Sequence, residues 1–154
     1  MKFLISMNLS LIIMVTFFAL PKRLHILEHV FLWMVLVFTI TSTTSVIVDN
    51  VDFWTLSDKV NLHSTFKLVQ MVGLPLLIQL FIERIYSKGK RLVSFFSCLI
   101  LLLLFESILI WSGIIEHTNW NFFFSFILWV ALLLLIMGMH YLFRKQLSKE
   151  GVLS

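Results

Sequence analysis

Residues 92–105 read LVSFFSCLILLLLF without a formal charge, and nine further uncharged residues separate Glu106 from Glu116. A helix over 92–115 rises about 1.5 Å per residue, enough to cross a hydrocarbon core of roughly 30 Å with some tilt. No other stretch constrains the chain as strongly, because it demands lipid along its length and places Glu106 a little past the middle of the bilayer. A carboxyl at that depth is expensive, so it must be protonated, paired or in contact with water.

Four more apolar runs, at about 3–20, 24–48, 66–83 and 122–143, leave no segment large enough for a separate soluble domain. A hydrophobic content of 60%, only 13% charged residues and a mean hydropathy of +1.00 exclude an ordinary soluble domain. The expected fold is all-α, a single polytopic transmembrane bundle of five helices covering residues 1–154. The first run ends in Leu20-Pro21-Lys22-Arg23 with no small-x-small cleavage site, which favours a retained span over a cleaved leader. Charge sets the orientation. The 22–23 turn, the 84–91 loop and the 144–149 tail hold nine of the twelve Lys and Arg residues. The two intervening loops carry Lys59 and Lys67 beside Asp49, Asp52, Asp58 and Glu116. By the positive-inside rule the N-terminus is expected outside and the C-terminus in the cytoplasm, with Lys2 the one exception. The net charge of +4 therefore belongs to helix ends and anionic headgroups rather than to nucleic acid. The partners expected are the lipid bilayer and a membrane protein, either a second copy or a different chain. The single Cys98 lies within an apolar run and has no intrachain disulfide partner.

Counting from the outer helix ends puts Thr39 and Pro75 near the level of Glu106. The hydroxyl run from Thr39 to Ser45, which includes Thr43, is a poor lipid-facing surface and is expected to face the bundle interior. Pro75 frees the Met71 carbonyl and should kink its helix. Glu106, Thr39, Thr43 and Pro75 thus form an expected intramembrane polar site, in which a protonated Glu106 donates to a threonine hydroxyl or to the Met71 carbonyl. Such a group either fixes helix packing or handles a proton or cation. His25-Ile26-Leu27-Glu28-His29 matches H-x-x-E-H, and its two histidines share one helical face. Only His140 stands at a similar depth as a further ligand. His25, Glu28 and His29 are therefore expected to form a cytoplasmic-side polar cluster in an interfacial first turn, Glu28 being favoured there by the helix dipole, and not a metal site. The 49–65 loop, with Phe53, Trp54 and Leu56, is expected on the membrane surface, and Trp54, Trp111 and Trp120 in an outer aromatic belt. His63, Glu116 and His117 are expected as solvated loop residues. Ser107 lacks a base at catalytic spacing and no glycine-rich phosphate loop is present, so no catalytic residue, metal or cofactor is expected.

Leu20-Pro21-Lys22-Arg23-Leu24-His25 followed by Glu28, the pair Phe105-Glu106 within the fourth span, and Asn119-Trp120-Asn121 before the fifth occur together over residues 20–143. In this combination the chain resembles a family of small, uncharacterised multi-pass membrane proteins of spore-forming Gram-positive bacteria. The resemblance implies a multi-pass architecture in a bacterial cytoplasmic membrane and brings no reaction or ligand. Where that family has a tyrosine-rich stretch after its second span, this chain has Asp49, Asp52, Phe53 and Trp54 without tyrosines. The function expected is that of a small, non-enzymatic accessory or structural membrane component. The alternative is a proton- or ion-coupled transport component with its site around Glu106.

Overall fold

The computed structural model describes residues 2–22, 24–57, 59–88, 91–118 and 120–152. Arg23, Asp58, Gly89, Lys90 and Asn119, used above for orientation or resemblance, lie outside them. The described residues form an all-α bundle. Helix α1 spans Lys2–Ala19, and α2 spans Ile26–Ser45 and is prolonged by a π turn over Val46–Asn50. A continuous rod follows, made of α3 (Val60–Leu68), a second π turn (Val69–Gly73) and α4 (Leu74–Lys88). Helix α5 covers Arg91–Trp111 and α6 covers Phe122–Lys149, while β1 (Trp54–Leu56) and β2 (Ile115–His117) form a small ribbon. Among the described residues, four helical stretches are long and apolar enough to cross a membrane: Ile26–Asn50, Val60–Ile85, Leu92–Trp111 and Phe122–Lys149. Helix α1 contributes a shorter apolar stretch, Met7–Ala19.

The rod over Val60–Ile85 is the centre of the bundle: 67% of its apolar window is buried, against 22%, 39% and 28% for the other three. Helices α1, α2 and α5 pack around it, and α6 rests on α2 and α5. Midway along this rod, Pro75 offers no N–H to the Met71 carbonyl. The chain widens into the π turn just ahead of it, with the Leu74 N–H reaching back to the Val69 carbonyl. The same turn brings Gly73 against α1, where an added Cβ would stand 3.0 Å from Ser10 Oγ. Glycine suits this close approach, which a Cβ would crowd.

Helix ends explain the boundaries. Helix α2 starts with a reciprocal cap: the Leu27 N–H donates to His25 Nδ1 at 3.3 Å and the His25 N–H to Glu28 Oε2 at 2.8 Å. Asn121 Oδ1 caps α6 by accepting from the N–H groups of Phe123 and Phe124. Helix α5 stops in a Schellman turn, in which Gly113, at φ +73°, donates to the Ile110 carbonyl and Ile114 donates to the Leu109 carbonyl. The apolar run to residue 115 is therefore helical only to Trp111. Glu106 lies five residues, or about 7.5 Å, from the helix end, halfway between that end and the helix centre at Leu101.

The loops differ most from expectation. The 49–65 segment is not a separate loop, since β1 pairs antiparallel with β2. Trp54 faces His117, Thr55 faces Glu116 and Leu56 faces Ile115. Both strands need partners for their backbone polar groups at the end of an apolar bundle, and each supplies the other's. The third run also begins earlier than expected, at Val60, and the basic tail from Arg144 to Lys149 continues α6 as helix.

Candidate functional site

Glu106 is 2% exposed and meets three side chains. Ser125 Oγ donates to its Oε1 at 2.5 Å, and Trp129 Nε1 donates to its Oε2 at 2.7 Å. Trp120 Nε1 in turn donates to Ser125 Oγ at 2.7 Å, which commits the serine proton to the carboxylate. His117 Nε2 lies 3.2 Å from Oε1, and the His117 ring stacks on Trp54 with centroids 5.7 Å apart. Ser125 and Trp129 are one turn apart on the inward face of α6, and His117 reaches in from β2. The arrangement satisfies both carboxyl oxygens and leaves the imidazole as the group between Glu106 and the loop end of the bundle.

These partners are not those expected from depth counting. Glu106 bonds neither to Thr39 or Thr43 nor to the Met71 carbonyl. Thr43 does join it around a common cavity of about 30 Å³, together with Thr44, Trp54, Phe66 and Gln70. Thr39, one turn away, is half-buried and does not line that space, and Pro75 is buried behind Leu74, which does. His117, expected in solvent, is the histidine drawn into the site. Trp54, expected in the aromatic belt, is buried.

A second polar cluster lies at the opposite end. Glu28 is fully buried, in place of the interfacial exposure expected for it. Its Oε2 caps α2 while its Oε1 stands 3.1 Å from His140 Nε2 and 3.6 Å from Arg144 Nη1. His29 turns the other way. Its Nε2 is 3.3 Å from Glu83 Oε2 and its Nδ1 3.3 Å from Gln79 Oε1, while Gln79 Nε2 donates to the His29 carbonyl at 3.2 Å. Glu83 Oε1 also accepts the Leu24 N–H at 3.2 Å. The three residues of the H-x-x-E-H motif thus point to three destinations, with His25 on the α2 cap, Glu28 on α6 and His29 on α4. Among the described residues no three His, Cys, Asp or Glu side chains gather as a metal site.

The partner residues that sequence reading did not assign to an acid share a readable spacing. Ser125 and Trp129, Gln79 and Glu83, and His140 and Arg144 each stand four apart within apolar helices, so each pair occupies one face. The result, among the described residues, is three buried carboxylates, each opposite an imidazole from a different element: Glu28 on α2 with His140 on α6, Glu83 on α4 with His29 on α2, and Glu106 on α5 with His117 on β2. Fold and site together define a membrane-type helical bundle cross-braced by Glu–His pairs. No protein-family model, curated protein or solved structure matches the chain.

Proposed function

We propose that the chain is a small, non-enzymatic membrane component, accessory or structural, that crosses a bacterial cytoplasmic membrane five times with its N-terminus outside. The observation that supports this reading is the pairing of Glu28, Glu83 and Glu106. Each carboxylate stands within 3.3 Å of an imidazole nitrogen from another element, which is what a group holding helices in register needs. The bundle's outer face is apolar, so lipid covers it except where close packing against a second copy or another membrane protein displaces that lipid. The orientation rests on the Lys and Arg distribution, and the bacterial membrane on the resemblance of the Pro21, Glu106 and Trp120 segments.

Reconstitution tests the proposal. Liposomes containing the purified chain, under an imposed pH gradient and membrane potential, are expected to leak protons no faster than empty ones. Flux that Glu106→Gln abolishes would overturn the structural reading. It would favour the alternative, a proton-coupled transport component, for which the contact between Glu106 and the half-buried His117 is the supporting observation. Reporter fusions check the topology: green fluorescent protein at the C-terminus should fluoresce, and alkaline phosphatase there should stay inactive.

A further inference from the structure

Two buried polar atoms of opposite character lack a hydrogen-bond partner at the edge of the same cavity. Trp54 Nε1 can only donate, Gln70 Oε1 can only accept, and both atoms are shielded from the exterior. Trp54 is 5% exposed and Gln70 1%. Both residues line the space of about 30 Å³ beside Glu106 that Thr43 and Thr44 also border. Buried polar groups are rarely left unpaired, because losing their hydration without replacement is costly. The cavity exceeds the roughly 10–15 Å³ needed to admit one water, and it offers the two to four polar partners such a water requires.

We infer that this cavity is a binding site for internal water, held between Trp54 Nε1 as donor and Gln70 Oε1 as acceptor. The threonine hydroxyls complete its shell. Thr44 Oγ1 already donates to the Ile40 carbonyl at 2.8 Å, so its oxygen remains free to accept. A neutral molecule that both donates and accepts matches the pair; a bare cation would leave the indole N–H repelled. The π turn is what builds the site, since it sets Gln70 with its Nε2 on the Ile40 carbonyl at 3.5 Å and its oxygen unpaired. The site stands whether Glu106 braces the bundle or carries a proton.

The test is water-to-protein magnetisation transfer, read by NMR at the indole N–H groups of nitrogen-15 tryptophan in lipid nanodiscs. Trp54→Phe assigns the Trp54 signal. Native protein is expected to show transfer from water to Trp54. Gln70→Leu, which removes the acceptor at similar volume, should reduce it severalfold and lower the thermal midpoint. The Trp129 signal, held by Glu106, reports that the fold survives. If Gln70→Leu loses that signal, Thr43→Val repeats the measurement from the opposite wall. Absence of transfer to Trp54 in the native protein would overturn the inference. So would transfer that persists unchanged in a folded variant, since that water would come from outside the cavity. A higher thermal midpoint for Gln70→Leu would also overturn it, because a dry cavity gains from losing an unpaired polar atom.

Discussion

The chemistry of Glu106 follows from what its neighbours can do. An indole N–H donates only, and Ser125, having accepted from Trp120, has its proton left for the carboxylate. Glu106→Gln keeps a carbonyl oxygen for one of these donors. It is expected to cost about 1 kcal/mol or less, in line with the modest worth of interhelical hydrogen bonds in membranes. Glu106→Leu leaves two buried donors without an acceptor, at about 1–3 kcal/mol each. Reversible unfolding in bicelles, by denaturant titration, separates the two outcomes. Glycines give a second contrast of sign. Gly113 sits at φ +73° in the α5 cap, so Gly113→Ala should destabilise by about 1 kcal/mol. Gly138 lies within α6, where an added Cβ meets nothing within 4 Å, and Gly138→Ala should raise stability by about 0.5 kcal/mol. The same unfolding titration checks both.

At the level of elements, the ribbon joins two loops that stand 61 residues apart at Thr55 and Glu116. Directly opposed residues of an antiparallel pair have Cα atoms about 4.5–5.5 Å apart, within reach of a disulfide. Thr55→Cys combined with Glu116→Cys should therefore form an intrachain disulfide under mild oxidation, seen as a mobility shift that reductant reverses. Cys98 is buried and should not compete. A loop lying apart on the membrane surface would give no such shift. Docking of α1 has its own test at Gly73, whose added Cβ would stand 3.0 Å from Ser10 Oγ and 3.9 Å from Phe105. Gly73→Ala should destabilise, and adding Ser10→Ala, which removes the close Oγ without placing a glycine in α1, should recover most of the loss. The π turn supplies this close approach, and the signal for it was Pro75, which removes a backbone donor in mid-helix.

Across the whole molecule, the Glu–His pairs tie together segments remote in sequence, Glu28 and His140 being 112 positions apart. Breaking one partner strands the other in an apolar interior, whereas removing both does not. The separate costs of Glu28→Leu and His140→Leu should add up to more than the cost of the double variant, with a coupling of at least about 1 kcal/mol in a double-mutant cycle. Much of this architecture was legible in the chain. Uninterrupted apolar runs commit it to helices, because in lipid a backbone satisfies its own polar groups only that way, and Pro75 marks where one helix must widen. Buried carboxyls could be flagged from Glu106 alone, since isolation in an apolar run is a local property. Partners were not legible. Whether Glu106 meets Thr39, the Met71 carbonyl or Ser125 depends on the rotation of each helix about its axis and on which helices adjoin. A shift of one residue turns a helical face by about 100°. The end of α5 at Trp111, the pairing of β1 with β2 and the burial of His117 are likewise settled by packing. Sequence determined that the chain forms apolar helices with charges at their ends and one isolated acid within. Tertiary structure alone decided which imidazole each acid faces, because that choice is made by contacts between segments that no local pattern connects.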